Sequence, residues 1–202
     1  MAGGEDKGWG QLAGSTPDDV CKRASVSFDH ALSVYTVKSF NWNVNFSAVN
    51  RSITCDTAEG EEYLLRRLGH FYRLSSLWYL NAARDIPLSG QLAMPQNLNG
   101  GEIFFRGSHV LPLQKLSDRY ESAREEFLSR GAALGGTATA YGDASIVLQP
   151  YPRVPVTLIL WLMDDEFPAR AECLLDTSCE FHLPIDIIWM VSMMCIQLMA
   201  QA

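Results

Sequence analysis

Basic residues are scarce in this chain. Lys and Arg total 16 against 23 Asp and Glu, a formal net charge of -7, and they form no cluster. Binding a phosphate backbone needs grouped Lys and Arg that displace counterions, so no nucleic acid is expected as a partner. The five cysteines (Cys21, Cys55, Cys173, Cys179, Cys195) contain no C-x-x-C pair. There is therefore no intrinsic iron–sulfur or zinc motif, and free thiols in a reducing cytoplasm are expected. The four histidines (His30, His70, His109, His182) make no H-E-x-x-H or H-x-x-x-H pair, and no P-loop or G-x-G-x-x-G run occurs. A G-x-S-x-G nucleophile elbow is also missing. The opening MAGGEDKGWGQLAGST has neither the basic nor the apolar region of a secretory signal. It reads as a flexible tail over residues 1–16 of a cytoplasmic protein. Long apolar runs are limited to Leu183–Met199, which carries Asp186 and Gln197 and is shorter than the roughly 20 residues of a membrane span. No membrane partner is expected. A helix apolar on all faces belongs at the centre of a domain or at an oligomer seam.

What is present suits an ordinary core. The chain has 202 residues, 48% of them hydrophobic, enough for one domain over 17–202. Thr16 and Pro17 suit a helix start, running to about Asp29. Val34–Lys38 alternates in β-branched and aromatic residues, and Asn41–Asn43 interrupts the run, so two or three antiparallel strands are expected up to Cys55. Leu64, Leu68, Phe71, Ser75 and Trp78 follow helical spacing, predicting a helix over Glu61–Ala82, with Leu65, Tyr72 and Tyr79 widening its apolar stripe. Arg84–Asn99 reads as a long loop, a kind of segment that often serves function. EIFF (Glu102–Phe105) reads as a short strand. Leu113 to Phe127 steps by three and four as a helix ended at Gly131. ASIVLQ, VPVTLILWLM and ARAECLL read as three strands before the final helix. The fold class is α+β: a single domain, mainly antiparallel sheet packed with about four helices, the C-terminal one buried.

The acidic run Asp164-Asp165-Glu166 lies between the last two strands. Neighbours in extended chain face opposite ways, and cation sites recruit oxygens spaced two apart. A solvated turn or an ion pair therefore outweighs a metal site, and Asp165 and Glu166 are only weak ligand candidates. Phe105-Arg106-Gly107-Ser108-His109 offers an Arg suited to bidentate anion contacts. Its bland reading is a turn, with Arg106 paired to Asp165 or Glu166. Thr177 and Glu180 have the spacing of a capping box for the final helix.

Several separated stretches carry a family resemblance. They are YTVKSFNWNV, PLSGQL (Pro87–Leu92), Gly100–Gly101, FRGSHVLPL, GDAS and Pro152–Pro155. Asp165–Pro168, Leu174–Asp176 and Leu183–Pro184 complete the set. In this order they resemble a prokaryotic domain of unknown function, number 3786, from about Val20 onward. The sequence departs from the family pattern at Leu175, where Phe is usual, and at Trp78–Tyr79, where His-Tyr is common. The cysteine-rich iron–sulfur segment of many relatives is absent. The resemblance implies a setting among anaerobes, sometimes beside iron–sulfur or corrinoid proteins, and establishes no reaction.

On that setting the expected function is non-catalytic binding of a cofactor-sized ligand beneath the loop Arg84–Asn99. A corrinoid such as cobalamin, or another tetrapyrrole, is the first ligand to consider. Arg106, His109, His70 and Tyr79 form the candidate binding set, since a single His can cap the metal of a haem or corrinoid. The corrinoid run Asp-x-His-x-x-Gly is missing, because Asp29 and His30 are adjacent. Two alternatives stay open. One is a hydrolytic or metal-assisted enzyme using Asp165, Glu166 and His109. The other is a homodimeric interaction module built on the Met-rich last helix, and an iron–sulfur or corrinoid protein is a further candidate partner.

Overall fold

The computed structural model describes residues 3–201. Its first sheet is an antiparallel meander of β1 (Ser27–Asp29), β2 (Val34–Ser39), β3 (Trp42–Ser47) and β4 (Ser52–Cys55). Alternation along β2 buries Tyr35, Val37 and Ser39 and leaves Lys38 outside. Trp42, Val44 and Phe46 of β3 are buried in turn, and Val37 pairs with Val44. The Asn-rich stretch does not break the second strand. The reversal is the pair Phe40–Asn41, with Phe40 at φ 52°.

The second sheet runs in the order β5 (Leu92–Ala93), β9 (Arg170–Asp176), β8 (Val154–Trp161), β7 (Ala144–Tyr151), β6 (Thr137–Thr139), every neighbour antiparallel. Val154–Leu160 is buried at every position. That continuous apolar run suits a strand covered on both faces. The sheets are joined where Phe40 N donates to the Gln149 carbonyl at 2.7 Å and Ser39 Oγ to the Pro150 carbonyl at 2.8 Å.

The helices are shorter and more numerous than the periodicity predicts: α1 (Gly4–Ala13), α2 (Pro17–Ala24), α3 (Ala58–Gly60), α4 (His70–Ala82), α5 (Gly101–Phe104), α6 (Gln114–Tyr120), α7 (Arg124–Ala133) and α8 (Ile185–Ala200). The helix expected to reach Asp29 stops when Ser25 turns left-handed at φ 54°. The helix expected over Glu61–Ala82 starts as a wide π-turn at Glu61–Arg67 and breaks at Gly69, φ 53°. EIFF is helical rather than a strand, and Leu113–Phe127 divides into α6 and α7. The proposed capping box does not form. Asp176 caps a short 3-10 turn over Thr177–Phe181 instead, and Glu180 accepts from Asn99 N.

Residues 4–13 are a packed helix, not a tail. Trp9 and Leu12 are buried, and Asn81 Nδ2 donates to the Gly8 carbonyl at 3.0 Å. A β-carbon on Gly8 would stand 3.0 Å from Leu77 Cβ. The glycine that makes the segment look like a linker is thus what lets α1 lie directly on α4.

α8 is central, with Ile187, Ile188, Val191, Met194, Cys195 and Ile196 all buried within the chain. Among the described residues no helix is long and apolar enough to cross a membrane.

Candidate functional site

The loop between α4 and α5 is fastened along its length, and a buried carboxylate is the main fastening. Asp176, at the end of β9, is 3% exposed. Its carboxylate accepts from Ser89 N (3.0 Å), Ser89 Oγ (2.9 Å), Gly90 N (2.8 Å) and Ser178 N (2.9 Å), and from Ser178 Oγ. Burial pushes its pKa up, but the donors from Ser178 and Ser89 outweigh burial and hold it down at about 2. Thr177 N donates to the Gln91 carbonyl at 2.9 Å, which leads Leu92–Ala93 into its pairing with Asp176 and Leu175. At the near end Arg153 holds the Ile86 carbonyl (2.9 Å) and Asp85 Oδ1 (2.6 Å). The loop is a strap bound to the sheet. The stretches Pro87–Leu92 and Leu174–Asp176, both part of the family pattern, meet in this one contact.

Past Ala93 the strap leaves the sheet through a 3-10 turn at Pro95–Asn97 and reaches the glycine pair. Gly100 takes φ 76°, and a β-carbon on Gly101 would collide with the Pro95 carbonyl oxygen. Only glycine permits α5 to sit against the strap at this distance. Between them opens a cleft of about 400 Å³, within the range of small-ligand sites. Met94, Pro95, Phe105, Leu111 and Leu113 give it apolar walls, and Glu102, Arg106 and Glu172 carry its charges. Cys173, 2% exposed, also lines it. Burial pushes its thiol up to about 12, so it is a neutral apolar surface and a poor nucleophile at neutral pH.

Of the four expected binding residues only Arg106 lines this cleft. Its Nη2 is 2.7 Å from Glu102 Oε1, so its partner is one helical turn away and not Asp165 or Glu166. His109 stacks on Phe104 (centroids 4.4 Å apart, 29°) and meets Trp189 edge-on at 5.3 Å. This pins the Gly107–His109 turn to α8. His70 opens α4 on the surface, where Nδ1 lies 2.8 Å from Glu5 Oε1 of α1. Tyr79 is fully buried, stacked on Tyr151 at 4.7 Å. Its hydroxyl donates to the Ala24 carbonyl (2.6 Å) and accepts from Arg153 N (3.2 Å), and burial raises its pKa. The four residues do not share a cavity, so they do not fit an axially ligated tetrapyrrole.

Asp164, Asp165 and Glu166 are exposed at the β8–β9 connection. Asp164 Oδ1 accepts from Glu166 N (2.8 Å) and Phe167 N (2.7 Å), fixing the turn and lowering the Asp164 pKa. Among the described residues no hydrogen bond or ion pair joins Asp165 or Glu166 to His109, and no group of three or more His, Cys, Asp and Glu could hold a metal ion. Beside this turn a second apolar hollow of about 520 Å³ is framed by Trp161, Phe167 and Arg170. The Arg170 guanidinium lies 4.1 Å from the Trp161 ring centroid.

Asp176 enters the sequence reading only as part of the family pattern and Cys173 only as a free thiol, neither as a site residue. The usable signal is a carboxylate at the end of an apolar strand, followed by Thr-Ser and complemented by a distant Ser-Gly.

The model of one family, described as Domain of unknown function (DUF3786), matches residues 16–198. The chain belongs to this family. Neither a curated protein nor a solved structure matches it. The DUF3786 match begins at the residue before α2. α1, which rests on α4, therefore precedes the matched region, whereas strap, cleft and β9 all lie inside it.

Proposed function

We infer that this DUF3786 chain is a non-catalytic binding protein and that its site is the cleft between strap and α5. The observation that supports this reading is the cleft's construction: a glycine contact and a buried, five-fold hydrogen-bonded carboxylate hold open a mostly apolar space of about 400 Å³. Apolar walls with a few convergent polar groups are the usual form of a ligand site. The homodimer alternative has less support, because most apolar side chains of α8 are used inside the chain. The enzyme alternative has less support because its two acids stand in an exposed turn.

The test is an as-purified absorption spectrum and native mass spectrum, followed by titration with a panel of corrinoids, haem and nucleotides. The tetrapyrroles come first on the family setting alone. Binding that is lost in Leu111→Trp, which fills the cleft, is the expected result. A panel that binds nowhere, or binds equally well to Leu111→Trp, would overturn it.

A further inference from the structure

The hollow at the β8–β9 connection shares no lining residue with the cleft. Gly142 takes φ 57°, and a β-carbon there would stand 2.7 Å from Ile159 Cγ2 and 2.9 Å from the Leu160 carbonyl oxygen. This glycine lets the approach to β7 lie directly on the end of β8. Asp143 N donates to the Leu160 carbonyl at 3.0 Å, and Asp143 Oδ2 accepts from Leu162 N at 2.8 Å. One carboxylate of the hollow is fixed in this way. The other belongs to Asp164, whose Oδ1 takes the Glu166 and Phe167 amides and so shapes the turn that brings Phe167 and Pro168 to the wall. Each of these two carboxylates keeps an oxygen with no hydrogen bond from the described residues. Asp165 and Glu166 stand exposed in the same turn. Among the described residues none of the four acids is in an ion pair. The arginines at hand are engaged elsewhere. Arg170 lies over the Trp161 ring and 3.9 Å from Glu172, and Arg124 pairs with Glu125.

Four uncompensated negative charges thus border one apolar hollow, in a chain whose net charge is -7. The complement is a cation. The acids do not converge on a point, since among the described residues no group of three or more His, Cys, Asp and Glu could hold a metal ion. The complementary cation therefore carries its charges apart and brings apolar surface between them for Leu162, Phe167 and Pro168. Aromatic faces such as that of Phe167, 65% exposed, attract ammonium groups as well as methylenes. We propose that this hollow is a second binding site and that its ligand is an aliphatic polyamine. One ammonium group meets Asp143 and another Asp164, while the methylene chain lies on the apolar wall. A third ammonium extends toward Asp165 and Glu166. The volume of about 520 Å³ is within the range of small-ligand sites.

The probe is spermidine, titrated into the full chain and followed by calorimetry and by NMR shifts of the Leu162 and Phe167 amides and the Trp161 indole. Saturable binding is expected, about tenfold tighter than that of butylammonium and weakened by added salt. Asp143→Asn and Phe167→Ala should each weaken it about fivefold. If Asp143→Asn does not fold, the double variant Asp165→Asn/Glu166→Gln, in exposed positions, carries the same test of charge. Leu111→Trp, which fills the cleft, should bind spermidine as the wild type does, so this site and the cleft fail or stand separately. No binding of spermidine would overturn the proposal. Equal shifts of the same amides by Mg²⁺ at the same concentration would also overturn it, because they would show attraction to the acids alone. Unchanged affinity in Phe167→Ala would remove the apolar wall from the argument and overturn it too. Acetyl-Lys-Ala-Lys-Ala-Lys-amide binding about tenfold more tightly than spermidine would overturn it by assigning the hollow to a basic segment of a partner protein.

Discussion

Replacing Asp176 with Asn tests whether the strap is held by charge or merely by shape. The carboxylate accepts from three backbone N–H groups and two hydroxyls. An amide has one acceptor oxygen, so in either orientation its NH₂ faces at least one of these backbone donors. A buried group left without its partner costs about 1–3 kcal/mol, and bonds to a charged acceptor are the stronger ones. The loss expected for Asp176→Asn is therefore about 3 kcal/mol. The native pKa gives an independent figure. A fall from the ordinary 3.8 to about 2 corresponds to about 2 kcal/mol of stability from ionisation alone. Since the folded pKa is the lower one, this stability is fully present above pH 3.8 and is lost as the pH falls toward 2. Urea denaturation at neutral pH should show the decrease, and heating should show a melting temperature lower by roughly 6–12 °C for a domain of this size. Amide exchange should show Ser89, Gly90 and Ala93 deprotected before the rest of the sheet. A variant within about 0.5 kcal/mol of wild type, with strap amides still protected, would refute the idea that Asp176 holds the strap.

Four further outcomes follow from the same geometry. Gly101→Ala should cost about 1–3 kcal/mol through its collision with Pro95 and should reduce binding in the cleft, checked by denaturation and titration. Tyr79→Phe removes a hydroxyl bonded to Ala24 and Arg153. It should destabilise by about 1–3 kcal/mol while leaving cleft binding unchanged. With its thiol pushed up to about 12, Cys173 should be about one part in ten thousand thiolate at pH 8, and mass spectrometry after brief iodoacetamide treatment should find it unmodified. His182, 1% exposed, accepts from Arg84 N through Nδ1, and burial with the charges of Arg153 and Arg84 lowers its pKa. Its contribution is complete above about pH 6.5 and declines below it, so the drop in wild-type stability between pH 7 and 5 should be smaller in His182→Gln.

The long strands were legible because their alternation or continuous burial follows directly from which faces are covered, whereas EIFF, expected as a strand, is helical and the short strands Ser27–Asp29, Leu92–Ala93 and Thr137–Thr139 carry no such pattern. Val34–Ser39 and Val154–Trp161 needed no information beyond their own residues. The helices were less so. Ser25 and Gly69 take positive φ and end or break helical periods that the apolar spacing alone carries onward. The packing of α1 was hidden because Gly8 signals flexibility locally and close approach globally. At the site, the loop's importance could be read from its length, and Gly100–Gly101 from its motif. The cleft itself could not, because Asp176 and Ser89 are 87 positions apart and the place where the strap leaves β9 depends on where β5 stops. Arg106 was found by side-chain chemistry. His70, His109 and Tyr79 were named for their ring types, yet each is engaged with an acid, aromatic rings or backbone groups remote in sequence.

That same 87-residue separation has a kinetic side. Pairings between distant residues must first overcome the entropy of closing the intervening chain, and they form slowly compared with local helices and hairpins. The β2–β3 hairpin closes over two residues, and β7–β8 is a neighbouring pair. The strap can dock only after β9 has found β8 and Asp176 is buried. Until then the β9 edge is uncovered along its whole length, Asp176 and Leu175 included. In refolding followed by pulsed exchange, the Ser89 and Gly90 amides should therefore gain protection last, after those of β7 and β8.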